Sequence, residues 1–179
     1  PEPFVSFAEA CPALYDRTVT INGVSKAYAM TGWRIGYAGG PKTIIGAMKK
    51  IQSQSTSNPS SISQAASVAA LSGDQSCVRE MTKAFKERHD YIVAAHNGIP
   101  GLRCLPSAGN CYGLPNVSEA LRAKGLKDDL ALSELLLNKE EVAVVPGSAF
   151  GAPGYLRLSF ACSLDTLKEA VRRITRAMG

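Results

Sequence analysis

The chain has 179 residues, 45% hydrophobic and 20% charged, which excludes a disordered or collagen-like polypeptide and sets one domain, or one plus part of another, as the expectation. The 20 basic residues exceed the 15 acidic ones, giving a net charge of +5, but the excess is spread along the chain without a basic face or interleaved aromatics. That pattern argues against nucleic-acid binding. No stretch approaches roughly 18 consecutive apolar residues, so no membrane span is expected.

The opening Pro1-Glu2-Pro3-Phe4 has neither an initiator Met nor the charged-then-apolar order of a signal peptide, and reads as the interior of a longer chain. Residues 1–16 lack a period and read as loop. The β-branched run Thr18-Val19-Thr20-Ile21 predicts a strand buried on both faces, ended by the Asn22-Gly23 turn. A second strand-like run extends from Trp33 to Ala38, closed by Gly39-Gly40-Pro41. Pro41 suits the first turn of a helix whose apolar stripe is Ile44, Ile45, Met48 and Ile51. Residues 52–61 are serine-rich and read as a loop that is a candidate interface segment; a helix follows over about 62–72.

Gly73-Asp74 marks a break. From Ser76 to Ala95, Val78, Met81, Phe85 and Ile92 recur at helical spacing, long enough for a helix that bridges two domains. His89 and His96 lie seven apart on it, too far for an i, i+4 ligand pair, and both read as helix-surface residues. Short strands are expected near Leu102–Leu105, Cys111–Leu114, Val142–Val145 and Leu156–Phe160, with a helix over about 129–138 presenting Leu132, Leu135 and Leu136 on one face. The last helix takes Ser163 as N-cap and buries Leu164, Leu167, Val171, Ile174 and Met178. Its cations Lys168, Arg172, Arg173 and Arg176 read as a solvated group meeting the helix dipole.

Cys11, Cys77, Cys104, Cys111 and Cys162 are odd in number, contain no C-x-x-C pair and have no histidine at ligand spacing. A reducing cytoplasm fits them, and neither a zinc site nor a disulfide framework is expected. Two strands cannot bury both faces of a sheet, so residues 1–75 read as a remnant of a larger sheet. Residues 98–179 carry enough elements for a small α/β layer, joined to the first part by the long helix over 76–97.

The chemistry lies in Asn22-Gly23-Val24-Ser25-Lys26-Ala27-Tyr28-Ala29-Met30-Thr31-Gly32-Trp33-Arg34-Ile35-Gly36-Tyr37. A lysine stands just past a strand end, and an arginine opens the next strand. A lysine tuned below about 10.4 by a cationic, partly desolvated site is able to form a Schiff base with an aldehyde cofactor. Ser25 and Arg34 are placed to share one bound phosphate, the first as a hydroxyl donor and the second as a fork.

This run resembles the cofactor-lysine motif of the class I and II aminotransferases, the fold-type I enzymes that use pyridoxal 5'-phosphate (PLP). The family pattern Ser-Lys-x-(Tyr/Phe)-x-Met-Thr-Gly-Trp-Arg-(Ile/Leu)-Gly-(Tyr/Trp) is matched at every specified position from Ser25 to Tyr37. Ile51–Ser57 resembles the serine-rich segment after the motif, Val144–Gly151 the small-domain strand and loop, and Tyr155–Ala161 the carboxylate-binding strand. The likeness covers nearly the whole chain and is nearest to the family's bacterial aspartate aminotransferase branch.

The resemblance implies an α/β fold made of the C-terminal part of a fold-type I enzyme: residues 1–75 from the large PLP-binding domain, 76–97 an interdomain helix, 98–179 the small domain. It implies that Lys26 forms the internal aldimine and moves a proton between Cα and C4′. Arg34, helped by Ser25, binds the cofactor phosphate, and Arg157 takes the substrate α-carboxylate as a bidentate pair. Trp33, Tyr28 and Met30 are expected to pack around the lysine turn. The chain departs from the family at Pro106-Ser107-Ala108-Gly109-Asn110-Cys111-Tyr112, where one residue is inserted and Asn-Cys replaces Ala-Phe, so a strand closing over the substrate should differ. Family members are much longer. The glycine-rich phosphate turn, the ring-stacking aromatic and the Asn, Asp and Tyr around the cofactor ring are not assigned here.

The leading expectation is a PLP-dependent aminotransferase exchanging an amino group between an L-amino acid, aspartate-like, and a 2-oxo acid in a ping-pong cycle, as a cytoplasmic homodimer. A PLP-dependent lyase or synthase of the same fold is the first alternative. The second is a non-catalytic fragment, the 179 residues alone binding PLP weakly without the missing N-terminal part of the enzyme.

Overall fold

The structure, a computed structural model, describes residues 3–179; Pro1 and Glu2, read above as the start of a loop, lie outside the described residues. The chain divides into two compact units between Glu80 and Met81.

The first unit departs from the expected loop at its start. Ser6 caps Glu9 N–H at 3.2 Å and opens α1 (Phe7–Ala10), and Pro12 opens a 3-10 helix to Arg17. Thr18 closes that turn, its N–H on Tyr15 O and its hydroxyl on Leu14 O, so β1 begins two residues later than the β-branched run suggests, at Thr20–Gly23. A short helix, α2 (Val24–Ala27), follows. The second strand also starts late. Thr31–Trp33 form a 3-10 turn and Arg34 takes φ +56°, which breaks the extended run, leaving β2 at Gly36–Gly39.

β1 and β2 form an antiparallel ribbon with register Thr20↔Gly39 through Gly23↔Gly36. The expected burial of β1 on both faces does not occur among the described residues: β2 is its only ladder partner, and Ile21 is 76% exposed. Helix α3 (Lys42–Ser55) begins after Pro41 and continues through Gln52–Ser55, shortening the expected loop to the stretch before α4 (Ser61–Ser72). No breaker stands before Ser57, whose φ is +65°, and Pro59.

α5 (Ser76–Asn97) runs through the division, and its later turns carry the second unit's first apolar face. A three-stranded antiparallel sheet has the order β3 (Tyr112–Gly113), β5 (Leu156–Ser159), β4 (Val145–Pro146), with Tyr112↔Ser159 and Val145↔Arg157 in register. The strand expected at Leu102–Leu105 is reduced to one bridge, Arg103↔Asn116. The Asn97 side chain takes both backbone groups of Cys104, accepting its N–H at 2.8 Å and donating to its carbonyl at 2.9 Å, and so competes with strand pairing.

Helices α6 (Ser118–Lys124), which the sequence reading overlooks, α7 (Asp129–Glu140) and α8 (Leu164–Met178) complete the unit. Leu132, Leu136, Val117, Leu121, Leu156 and Ile174 form one core cluster, and Ile92, Phe160 and Leu167 a second beneath α5. Ser163 accepts Thr166 N–H at 3.1 Å as the N-cap of α8.

Two surface expectations are corrected. His96 is fully buried, and burial pushes its imidazole down to about 4; His89 is half-buried, bonded to Ser107. Three of the four cations on α8 are paired: Arg172 and Arg173 on Glu169, Arg173 also on Glu141, and Arg176 on Glu140. The glutamates recur one helical turn before the arginines or lie at the end of α7, which gives the group a tying role. All five cysteines are free thiols, and among the described residues no His/Cys/Asp/Glu cluster has the makings of a metal site. No helix among them is long and apolar enough to cross a membrane.

Candidate functional site

In the first unit the ribbon register decides the geometry. Because Gly23 faces Gly36, the three residues that follow β1 and the two that precede β2 leave from the same end, bringing Ser25, Lys26 and Arg34 to that end. The strands close tightly there: a Cβ on Gly23 would stand 3.1 Å from Ile35 O. Val24 and Ile35, both buried, anchor the two sides of the turn. Tyr28 adds a third anchor. Its hydroxyl donates to Gln75 Oε1 at 2.8 Å, while Gln75 Nε2 donates to Ala70 O and Gly73 O at the end of α4. This is the packing role expected for Tyr28; Trp33 instead stays 42% exposed.

Between these anchors the chemical groups are open. Ser25 is half-buried, Lys26 is exposed, and neither side chain has a hydrogen bond among the described residues. The partial desolvation expected around Lys26 is therefore not supplied by them. Arg34 donates one Nη1–H to Thr31 O at 2.9 Å, and the rest of its fork has no partner among the described residues. Its left-handed backbone costs roughly 1 kcal/mol in a non-glycine residue and turns the side chain out at the mouth of the ribbon.

In the second unit Arg157 sits at the middle of β5, with its guanidinium between two rings, 4.6 Å from Tyr112 and 4.2 Å from Phe150. Tyr112 opposes Ser159, two residues on and thus on the same face as Arg157. The two rings flank the guanidinium as cation–π partners, and no carboxylate pairs with it among the described residues. Phe150 is brought in by the Gly147–Phe150 turn, which Asp129 holds by accepting Ser148 N–H at 2.7 Å. Burial pushes the Asp129 carboxyl up, but the Ser148 backbone N–H and its other hydrogen bonds outweigh that and hold it below the ordinary range. Gly147 is required because a Cβ would lie 2.3 Å from Ala152 O.

Tyr112, Phe150 and Asp129 are site residues that the sequence reading does not single out. The one signal available is that Tyr112 and Phe150 both stand in segments already notable, the altered stretch and the Pro-Gly-Ser-Ala-Phe loop. A cavity of about 590 Å³ beneath α8, beside Phe160 and Leu167, includes none of Lys26, Arg34 or Arg157.

Residues 3–174 match the family model described as aminotransferase class I and II. The chain is 55% identical to the aspartate/prephenate aminotransferase of Nitrosomonas europaea over 96% of its own length and 45% of that protein's. It is 51% identical to the aspartate aminotransferase of Geobacillus stearothermophilus, covering 97% of the chain and 44% of the relative. The crystal structure of the aspartate aminotransferase from Rhizobium meliloti superposes with a TM-score of 0.91 at 49% identity, over 98% of this chain and 45% of that one. The chain thus spans less than half the length of these relatives.

Proposed function

The chain belongs to the class I and II aminotransferase family, and from that premise we propose that it is the part of a PLP-dependent aminotransferase that carries the cofactor lysine and the carboxylate-binding arginine. Residues 1–75 are read as the end of the large cofactor-binding domain, α5 as the interdomain helix, and 98–179 as the small domain. The substrates are an L-amino acid, aspartate-like, and a 2-oxo acid. The complete protein is read as a homodimer, and its five free thiols favour a reducing cytoplasm.

The observation that carries the reading is the ribbon that delivers a primary amine, a hydroxyl and an open guanidinium fork to one end. That donor set fits a small molecule bearing an aldehyde and a phosphate. Arg34 contributes two in-plane donors to a phosphate and Ser25 a third. When bound, the cofactor supplies the electron sink that makes the substrate Cα–H acidic. Lys26 Nζ would take the proton leaving the substrate Cα and deliver it to the aldehyde-derived carbon within the same half-reaction, and would carry a proton the opposite way in the second. Arg157, flanked by its two rings, grips the α-carboxylate through a bidentate pair and so fixes the direction of the Cα–H bond.

In the full-length protein, Lys26→Ala is expected to lower kcat for transamination by about 10⁴-fold, as for loss of a positioned acid/base group. Incubation of the unaltered protein with amino acid alone should convert bound cofactor to pyridoxamine phosphate. Transamination that survives the substitution contradicts the reading.

A further inference from the structure

We propose that His89 is a positioning residue for substrate binding, acting through the altered Pro106–Cys111 loop on Tyr112 and so on Arg157. The inference rests on the carboxylate-site reading of Arg157 and extends it to a residue in neither site group.

The ring of His89 is nearly enclosed, its side chain 12% exposed and set edge-on to Phe160 at 6.0 Å between centroids. Each nitrogen has one partner. Ser107 N–H points at Nε2 at 3.0 Å, and Asp90 Oδ1 lies 3.0 Å from Nδ1. A backbone N–H only donates and a carboxylate only accepts, so these contacts fix one tautomer, with the proton on Nδ1 and a lone pair on Nε2. Lys86 pairs with the other oxygen of Asp90 and holds that carboxylate in place on α5.

The hydrogen bond from Ser107 falls inside the stretch that departs from the family pattern, where a connection of seven residues joins Leu105 to Gly113. The loop has a second tie at its exit, where Cys111 O accepts the Phe160 N–H at 3.0 Å, so His89 holds its first half and Phe160 its last residue. Asn110 sits at φ +105°, and its side chain accepts Tyr112 N–H at 2.6 Å, a local contact that shapes the exit without fixing the loop to the body of the unit. The Ser107 hydroxyl is buried with no partner among the described residues, so the backbone N–H is the tether at that residue. Beyond the loop, Tyr112 enters β3 and lays its ring on the Arg157 guanidinium. The β3–β5 pairing and the Cys111 bond hold the Tyr112 backbone, and His89, by fixing the loop that leads into it, adjusts how the Tyr112 ring rests on Arg157.

The test uses the full-length protein with cofactor bound and follows KM and kcat for amino acid and 2-oxo acid. His89→Leu removes the acceptor and is expected to raise KM about fivefold with kcat within about twofold of the unaltered protein, the size of one lost hydrogen bond. His89→Gln offers an amide oxygen at the position of Nε2 and should restore KM to within about twofold. An unchanged KM in His89→Leu overturns the proposal, and so does an equal rise in both variants, which would mean that ring packing rather than the acceptor matters. Should His89→Leu fail to fold, Asp90→Ala carries the test, because it removes the exposed carboxylate that locks the tautomer, with Lys86→Ala as the control for the lost ion pair; a KM raised two- to threefold in Asp90→Ala but not in Lys86→Ala supports the proposal, and any other result overturns it. Arg157→Lys runs alongside. If that variant leaves KM unchanged, the carboxylate-site reading itself fails and this inference falls with it; if KM rises there but not at position 89, His89 alone is misassigned.

Discussion

His96 is fully buried, with no hydrogen-bond partner at either ring nitrogen among the described residues, so burial favours its neutral form in the folded chain. Burial depresses its pKa from 6.5 to about 4. The unfolded chain therefore takes up the proton first, and stability is complete above about pH 6.5 and falls as the pH drops toward 4. The loss amounts to about 3 kcal/mol, from a shift of this size at about 1.4 kcal/mol per unit. Urea unfolding at pH 7 and pH 4.5 should show this decline in the unaltered protein and a flatter profile in His96→Leu; equal slopes would show that another group governs it. The spacing of α5 does place His96 on the apolar face, one helical turn beyond Ile92, but the polar residue type reads as surface. Lys26, Ser25 and Arg34, by contrast, were legible in the sequence because a contiguous motif specifies both the groups and the turn that presents them.

At the scale of elements, the legible parts are those governed by local chemistry. The cap at Ser163, the stripe of α7 and the length of α5 follow from side chains within one or two turns. The short strands were harder, because β3 and β4 are two residues each and owe their existence to β5. The stacking of Tyr112 and Phe150 on Arg157 joins three separate segments and has no local signature. The Asp129 contact belongs to this class: the first turn of α7 holds the turn that carries Phe150. Asp129→Ala should lower the unfolding free energy by about 2 kcal/mol, as for loss of a hydrogen bond to a charged group, and should raise KM by freeing Phe150. Urea midpoints and steady-state kinetics on the full-length protein check both; a stable variant with unchanged KM would detach Asp129 from the site.

On the scale of the whole molecule, the two units differ in how much core they own. Of the buried hydrophobic residues among those described, only Val24 and Ile35 belong to the first unit, which leaves Ile21, Ile51 and Ile62 each more than 70% exposed. A two-stranded ribbon is marginal on its own. The second unit holds both core clusters and its own sheet. In the 179-residue chain by itself, limited proteolysis should therefore cut first within residues 1–80 and leave a resistant product from the second unit. Primary cleavage within residues 98–179 would contradict this.

The central claim is that Lys26 is the lysine to which the cofactor attaches, and it is tested most directly by trapping that bond. The full-length protein is incubated with PLP, reduced with borohydride, digested and mapped by mass spectrometry. The account expects one adduct, on the peptide containing Lys26, absent from Lys26→Ala. Adducts scattered over several lysines, or a single adduct elsewhere with Lys26 unmodified, would contradict it.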